Sequence, residues 1–149
     1  MKTILIYSGG MDSTTLLYKL LRAGDRVQAL SFNYGQRHKK ELKAAAKICR
    51  KLRAAGEKIS HKIVDITAVQ NLMQGGSALT TKTKVPEGHY QDTSMRATVV
   101  PNRNMIFVAL AIAEAVSIKA ERVAIGVHAG DHAIYPDCRP KFIKAMRAV

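Results

Sequence analysis

Three strand-like runs alternate with two helix-patterned stretches through the first part of the chain, and that order constrains the fold more than any other feature. Thr3 to Tyr7, Val27 to Phe32 and Lys58 to Asp65 read as strands, whereas Asp12 to Ala23 and Lys39 to Ala54 carry a helical pattern. This succession makes βαβ units, whose crossover helices bring strands together in parallel. Further on, Met105 to Lys119 is apolar nearly all round, as a helix central in the core would be. Arg122 to Val127 is another strand, and Pro140 opens a last helix that is expected to run to Val149 without cap or glycine stop, like a chain cut short. The fold class expected is α/β, a doubly wound parallel sheet. At 149 residues and 47% hydrophobic content, one packed domain over 1–149 is expected. From 68 to 99 the pattern breaks into Gly75-Gly76, Thr80-Thr81, Pro86 and Gly88, as expected of a lid or insertion.

The longest apolar run, Met105 to Ala113, is too short to span a bilayer. The N-terminus enters a strand without a signal-peptide pattern, so no membrane partner and a cytoplasmic address are expected. Two cysteines, Cys49 and Cys138, make neither a disulfide framework nor a CxxC pair. Cys49 shares a helical face with Leu42, Ala45, Ala46 and Leu52 and reads as a buried thiol. The net charge of +13 suits nucleic acid or small anions alike. Much of it, including Lys43, Lys47, Arg50, Lys51 and Arg53, falls on the polar side of one helix, where a solvated face is as good a reading, and few aromatics are present for stacking. No stable nucleic-acid partner is expected.

The junction of the first strand and helix reads Ser8-Gly9-Gly10-Met11-Asp12-Ser13, followed by Thr14. Two glycines let an anion approach the backbone, and a helix start aims N–H groups and a positive dipole at it. Ser8 and Ser13 add hydroxyls, and Asp12 is a carboxylate where Mg2+ on a polyphosphate would bind. The spacing is not that of a Walker A loop; the plain alternative is a glycine turn capped by Asp12. SGGxDS after an N-terminal strand resembles the pyrophosphatase loop of the N-type ATP pyrophosphatases, which adenylate an oxygen and release pyrophosphate.

Three further segments follow in order: FNYGQRH from Phe32 to His38, VPNRN from Val100 to Asn104, and YPDCRPKF from Tyr135 to Phe142. Together with the loop they resemble the 7-cyano-7-deazaguanine synthase family, ligases that make the nitrile precursor of queuosine and archaeosine. The resemblance implies 7-carboxy-7-deazaguanine, ammonia and ATP as substrates, an acyl-adenylate and then an amide as intermediates, and an adenine nucleotide alpha hydrolase-like fold. Ser8, Gly9, Gly10, Met11, Asp12, Ser13, Thr14, Arg37 and Arg103 are then the ATP-binding candidates. Substrate-binding candidates are Tyr34, Gln36, Asn102, Asp131, Tyr135, Asp137 and Arg139. Asp12, Arg103 and Cys138 are the catalytic candidates, Cys138 also having a packing or substrate-contact reading.

Several of these residues keep a structural alternative. Tyr34-Gly35-Gln36 can be a simple turn, and an asparagine beside Arg103 can be a helix cap. Arg103, ahead of so apolar a helix, needs an anionic partner: ATP phosphate, or Asp131 or Asp137 in an ion pair. His128 and His132 do not complete a metal site. The family also implies a C-terminal four-cysteine zinc cluster, which this sequence lacks, so no zinc ligand is assigned although Zn2+ is expected for the family. A homodimer is a further expectation. The alternatives are another pyrophosphatase-loop enzyme acting on tRNA by thiolation or lysidine formation, and an inactive ATP-binding fragment.

Overall fold

A computed structural model of the chain describes residues 1–36, 39–69, 102–127 and 135–148. It divides into two compact units, one of Met1–Asn33, His38–Asp65 and Phe107–Gly126, the other of Tyr34–Arg37, Ile66–Ile106 and Val127–Val149.

The first unit is built on strands β1 (Lys2–Ile6), β2 (Arg26–Asn33), β3 (Ile59–Asp65) and β4 (Arg122–Ile125). They form one parallel sheet in the order β3-β2-β1-β4, with Leu5 opposite Ala29 and Ala124. Helices α1 (Met11–Arg22) and α2 (Lys39–Ala54) connect the first three strands. Because side chains alternate across a strand, Leu5, Tyr7, Val27, Ala29 and Ile59 share one core cluster with Leu17, Leu20 and Leu21 of α1 and Ala45, Cys49 and Leu52 of α2. Helix α3 (Arg103–Ser117) meets the opposite face, where Phe107 stacks on Phe32 at 4.4 Å and Glu114 accepts from Gln28 and Lys62. Right-handed crossovers require this division, since the path reverses direction between β3 and β4.

The expected boundaries hold within two residues for most elements, and α2 spans the segment expected of it. Three expectations change. Helix α3 buries only part of its circumference, because it packs on one sheet face; Phe107, Val108, Ala111 and Ala115 are buried while Met105 and Val116 are exposed. Strand β4 stops at Ile125, where the following glycine comes against the loop after β1. The last helix, α4 (Pro140–Met146), ends before Val149: the N–H groups of Arg147 and Ala148 bond back to Ile143 and Ala145 and close it.

Asp25, just before β2, is almost fully buried and ties the lower end of the sheet. It accepts from the Thr3 hydroxyl at 2.8 Å, pairs with Arg122 of β4 and lies 3.4 Å from the Met1 ammonium. Burial alone would raise its pKa, but the bonds from Arg122, Thr3 and the N-terminus together hold it below the ordinary carboxylate value.

In the second unit the described parts are Tyr34 to Gln36, Ile66 to Val69, the first turn of α3, a 3₁₀ turn at Pro136–Cys138 and α4. Beyond Val69, the segment 68–99 read as a lid lies outside the described residues. No helix among the described residues is long and apolar enough to cross a membrane.

Candidate functional site

The phosphate-loop candidate begins where β1 leaves the sheet. Tyr7 still donates its N–H to Leu30 at 2.8 Å, and the chain then turns through Gly9 at φ +84°. Only glycine suits this position, for two reasons. The left-handed backbone disfavours any side chain, and a Cβ here would lie 3.0 Å from both Ala45 and the Glu41 carbonyl of α2.

Gly10 is the N-cap of α1 and supplies no side-chain cap. Asp12 is therefore inside the first turn, which excludes the plain aspartate-capped turn. By helix geometry the first turn of α1 has no acceptor four residues back within the helix, and the positive end of this twelve-residue helix lies at the loop.

The hydroxyls form a small ring. Ser13 donates to the Gly10 carbonyl at 3.1 Å, Ser8 lies 3.0 Å from Ser13, and Ser8 accepts from the Gly10 N–H at 3.1 Å. Since Ser13 has one proton and gives it to Gly10, Ser8 must donate to Ser13. Thr14 closes the helix start, its N–H on the Gly10 carbonyl at 3.0 Å and its hydroxyl 3.2 Å from Tyr7.

The rear wall comes from β4. A Cβ on Gly126 would lie 3.1 Å from the backbone of Ser13, so a bare backbone at this place lets the loop close on the sheet. Sequence reasoning passed over Gly126; the available signal was a glycine directly after a strand that neighbours β1. The cradle suits an anion with several oxygens: a helix N-terminus, two hydroxyls, and the exposed Asp12 carboxylate as a hard oxygen donor for a divalent cation.

The second unit gathers another set of candidates. Tyr34 is buried, its N–H taken by the Gln36 side-chain oxygen at 2.9 Å, so the Tyr34-Gly35-Gln36 segment does make a turn, with Gly35 at φ +81°. Arg103, first residue of α3, lies 5.7 Å over the Tyr34 ring and donates to its hydroxyl at 3.2 Å. Asn102 precedes the helix in a left-handed conformation and is exposed.

Asp137 is buried and accepts the Asn104 N–H at 2.9 Å; Asn104 in turn donates its amide to the Asp137 carbonyl at 3.2 Å and to the Cys138 sulfur at 3.4 Å. A carboxylate from a distant turn thus does the work of an N-cap for α3. Tyr135 and Arg139 flank that turn and are half-buried. Arg37 and Asp131 lie outside the described residues, as do His128 and His132.

Around the loop the titratable neighbours are tuned by burial. Burial raises the Tyr7 phenol and pushes Cys49 up to about 11, which makes Cys49 an inert core thiol. Among the described residues no group of three His, Cys, Asp or Glu could hold a metal ion by itself. With two cysteines in the whole chain, the residues do not fit a four-thiolate zinc site.

Sheet order and the strand–glycine turn–helix junction define an α/β protein with a parallel, doubly wound sheet. The chain belongs to the queuosine biosynthesis protein QueC family, whose profile matches residues 2–149. It is 60% identical over 146 residues to 7-cyano-7-deazaguanine synthase of Alteromonas mediterranea, covering 98% of this chain and 64% of that one. The synthase of a Marinomonas species is 57% identical, with 99% and 65% covered, and that of Pseudoalteromonas translucida 57%, with 97% and 64%. The chain thus spans just under two thirds of the length of these relatives. Its fold is similar to a crystal structure of a predicted subunit of tRNA methyltransferase from Methanocaldococcus jannaschii, with TM-score 0.53, 16% identity, and 99% of this chain and 63% of that one covered.

Proposed function

We propose that this chain carries the ATP-activating part of a ligase converting 7-carboxy-7-deazaguanine and ammonia to 7-cyano-7-deazaguanine. The observation that carries the reading is the cradle of Ser8 to Thr14, which Gly9 and Gly126 let pack closely against α2 and the end of β4, in a chain more than half identical to synthases of that name.

In this reading the N-terminus of α1 and the Ser8 and Ser13 hydroxyls hold the polyphosphate of ATP, with Gly9 and Gly10 letting it approach. An arriving phosphate oxygen takes the proton that Ser8 gives to Ser13, exchanging a weak neutral bond for a charge-assisted one. The exposed Asp12 carboxylate would hold Mg2+ carried in on the polyphosphate, where the cation would offset phosphate charge. A substrate carboxylate oxygen attacks the α-phosphorus and pyrophosphate leaves; ammonia then displaces AMP to give the amide. A second ATP activates the amide oxygen with release of pyrophosphate, and loss of AMP and of both N–H protons leaves the nitrile. Stabilising charge on the departing pyrophosphate is the loop's main contribution.

Arg103 and Arg37 supply further cations for phosphate. Tyr34, Gln36, Asn102, Asp131, Tyr135, Asp137 and Arg139 are assigned to the deazaguanine. For Asp137 this falls to the oxygen not bonded to Asn104, and Cys138 contacts the reacting group. The same reading takes the protein as cytoplasmic and homodimeric, acting on small molecules without a stable nucleic-acid partner, and places the family's Zn2+ outside this chain's residues.

Incubation with 7-carboxy-7-deazaguanine, ammonium, ATP and Mg2+ tests it. Substrate-dependent AMP and pyrophosphate are expected; ATP binding without AMP in any mixture would reduce the chain to a nucleotide-binding fragment. The surplus of Lys and Arg favours a second reading, a pyrophosphatase-loop enzyme acting on tRNA. Tight tRNA binding with a steep salt dependence, and AMP formed only with tRNA, would select it.

A further inference from the structure

Tyr7 is the residue from which the loop departs, and three contacts fix it. Its N–H is in the sheet ladder, its phenol meets Thr14 at the far side of the loop, and its carbonyl accepts from the Ser31 hydroxyl of β2 at 2.6 Å. Ser31 is fully buried, and its oxygen also lies 2.8 Å from Nε2 of His61 on β3.

The proton inventory leaves one arrangement. A carbonyl cannot donate, so the single Ser31 proton goes to Tyr7, and His61 must donate Nε2–H to Ser31. The imidazole is thus the Nε2–H tautomer, with its edge against the Tyr7 ring at 6.3 Å. Burial first, and the Arg53 charge second, lower the His61 pKa, which keeps the ring neutral at neutral pH. The relay runs sideways across three neighbouring strands, from β3 through β2 to the end of β1, on the face covered by α1 and α2.

We propose that His61 and Ser31 are positioning residues for the phosphate loop, His61 orienting the Ser31 hydroxyl and Ser31 anchoring the Tyr7 carbonyl, so that the pair sets the loop's affinity for ATP without touching it. This rests on reading Ser8 to Thr14 as the ATP loop. The geometry explains why a hydroxyl and an imidazole follow Val27, Ala29 and Ile59 along the strands of this sheet face. Buried polar groups of this kind earn a specific role only when every proton has an acceptor, as here.

The test is calorimetric titration of the full chain with ATP and Mg2+, on variants whose folding is followed by thermal unfolding. Ser31→Ala and His61→Leu are each expected to weaken ATP about three- to tenfold, the size of one net hydrogen bond. His61→Gln, whose amide nitrogen replaces Nε2, is expected to stay within about twofold of wild type. The double variant Ser31→Ala/His61→Leu should bind no more weakly than Ser31→Ala, because His61 acts through Ser31. A role in stability alone would shift the melting temperature and leave the affinity of folded protein unchanged, which overturns the proposal, as do additive losses in the double variant. If Ser31→Ala does not fold, the contrast between His61→Leu and His61→Gln decides. A wild-type chain that fails to bind ATP overturns the loop reading and this inference with it; wild-type binding with unmoved variants overturns this inference alone.

Discussion

The loop from Ser8 to Thr14 and the cluster around Arg103 reach order by opposite routes. The loop is seven contiguous residues shaped by what is missing, since Gly9 and Gly126 leave room that a single methyl would fill. The cluster is assembled from Tyr34, Arg103 with Asn104, and Asp137 with Cys138, and each junction is a side-chain bond. A structure held by exclusion fails when atoms are added, and one held by polar bonds fails when atoms are removed.

The largest effect expected is for Gly9→Ala. Left-handed backbone adds about 1–2 kcal/mol and crowding against Ala45 and Glu41 about 1–3 kcal/mol. Urea unfolding should show the sum, with ATP binding lost by more than tenfold; a neutral result would mean that the loop is held by its hydroxyls and not by space.

Next comes Asp137→Ala, which leaves the buried Asn104 N–H without its carboxylate and is expected to cost about 1–3 kcal/mol. Asp137→Asn keeps an acceptor oxygen and should recover most of that in the same unfolding assay. Equal losses in both variants would show that charge at the start of α3, and not the bond, matters there.

Alkaline titration separates the core behind the loop from the cluster. The Cys49 pKa is raised in the folded chain from 9.0 to about 11, so the folded protein holds the proton that the unfolded one releases. Stability from this source is whole below pH 9.0 and falls as pH rises towards 11, by about 1 kcal/mol at pH 10. Cys49→Ala should flatten that limb of the pH–stability curve without changing the response of Asp137 variants.

The smallest effect is for Arg103→Lys. It keeps the charge but gives up the planar group over Tyr34, costing about 0.5–1 kcal/mol in stability. A greater fall in AMP formation than in stability would place Arg103 on the reacting phosphate; matching losses would leave it a wall of the cluster.

The same contrast explains what the sequence could reveal. Strand, turn and helix starts are local, so α2 and the loop were legible from spacing and glycine chemistry. The role of Asp137 was not, because its acceptor function depends on Asn104, a residue in a different segment. Arg103 was expected to meet an anion, yet the neighbour found for it among the described residues is the Tyr34 ring, while Asp137 bonds Asn104; neither pairing can be named from periodicity. His61 showed no constellation along the chain because its partners Ser31 and Tyr7 come from two other strands. The near-complete apolarity of α3 misled for a related reason: composition counts the residues of a helix, while the number of layers packed against it decides how many are covered.

The closeness of Gly126 to Ser13 bears on any attempt to transplant this loop. Copying Ser8 to Thr14 onto the end of another parallel strand would carry over the letters and not the clearance, because the strand alongside must also present a bare backbone at that level. The transferable unit is therefore a pair of adjacent strand ends, and a host whose neighbouring strand ends in valine or isoleucine would have to be recut there before the loop could close.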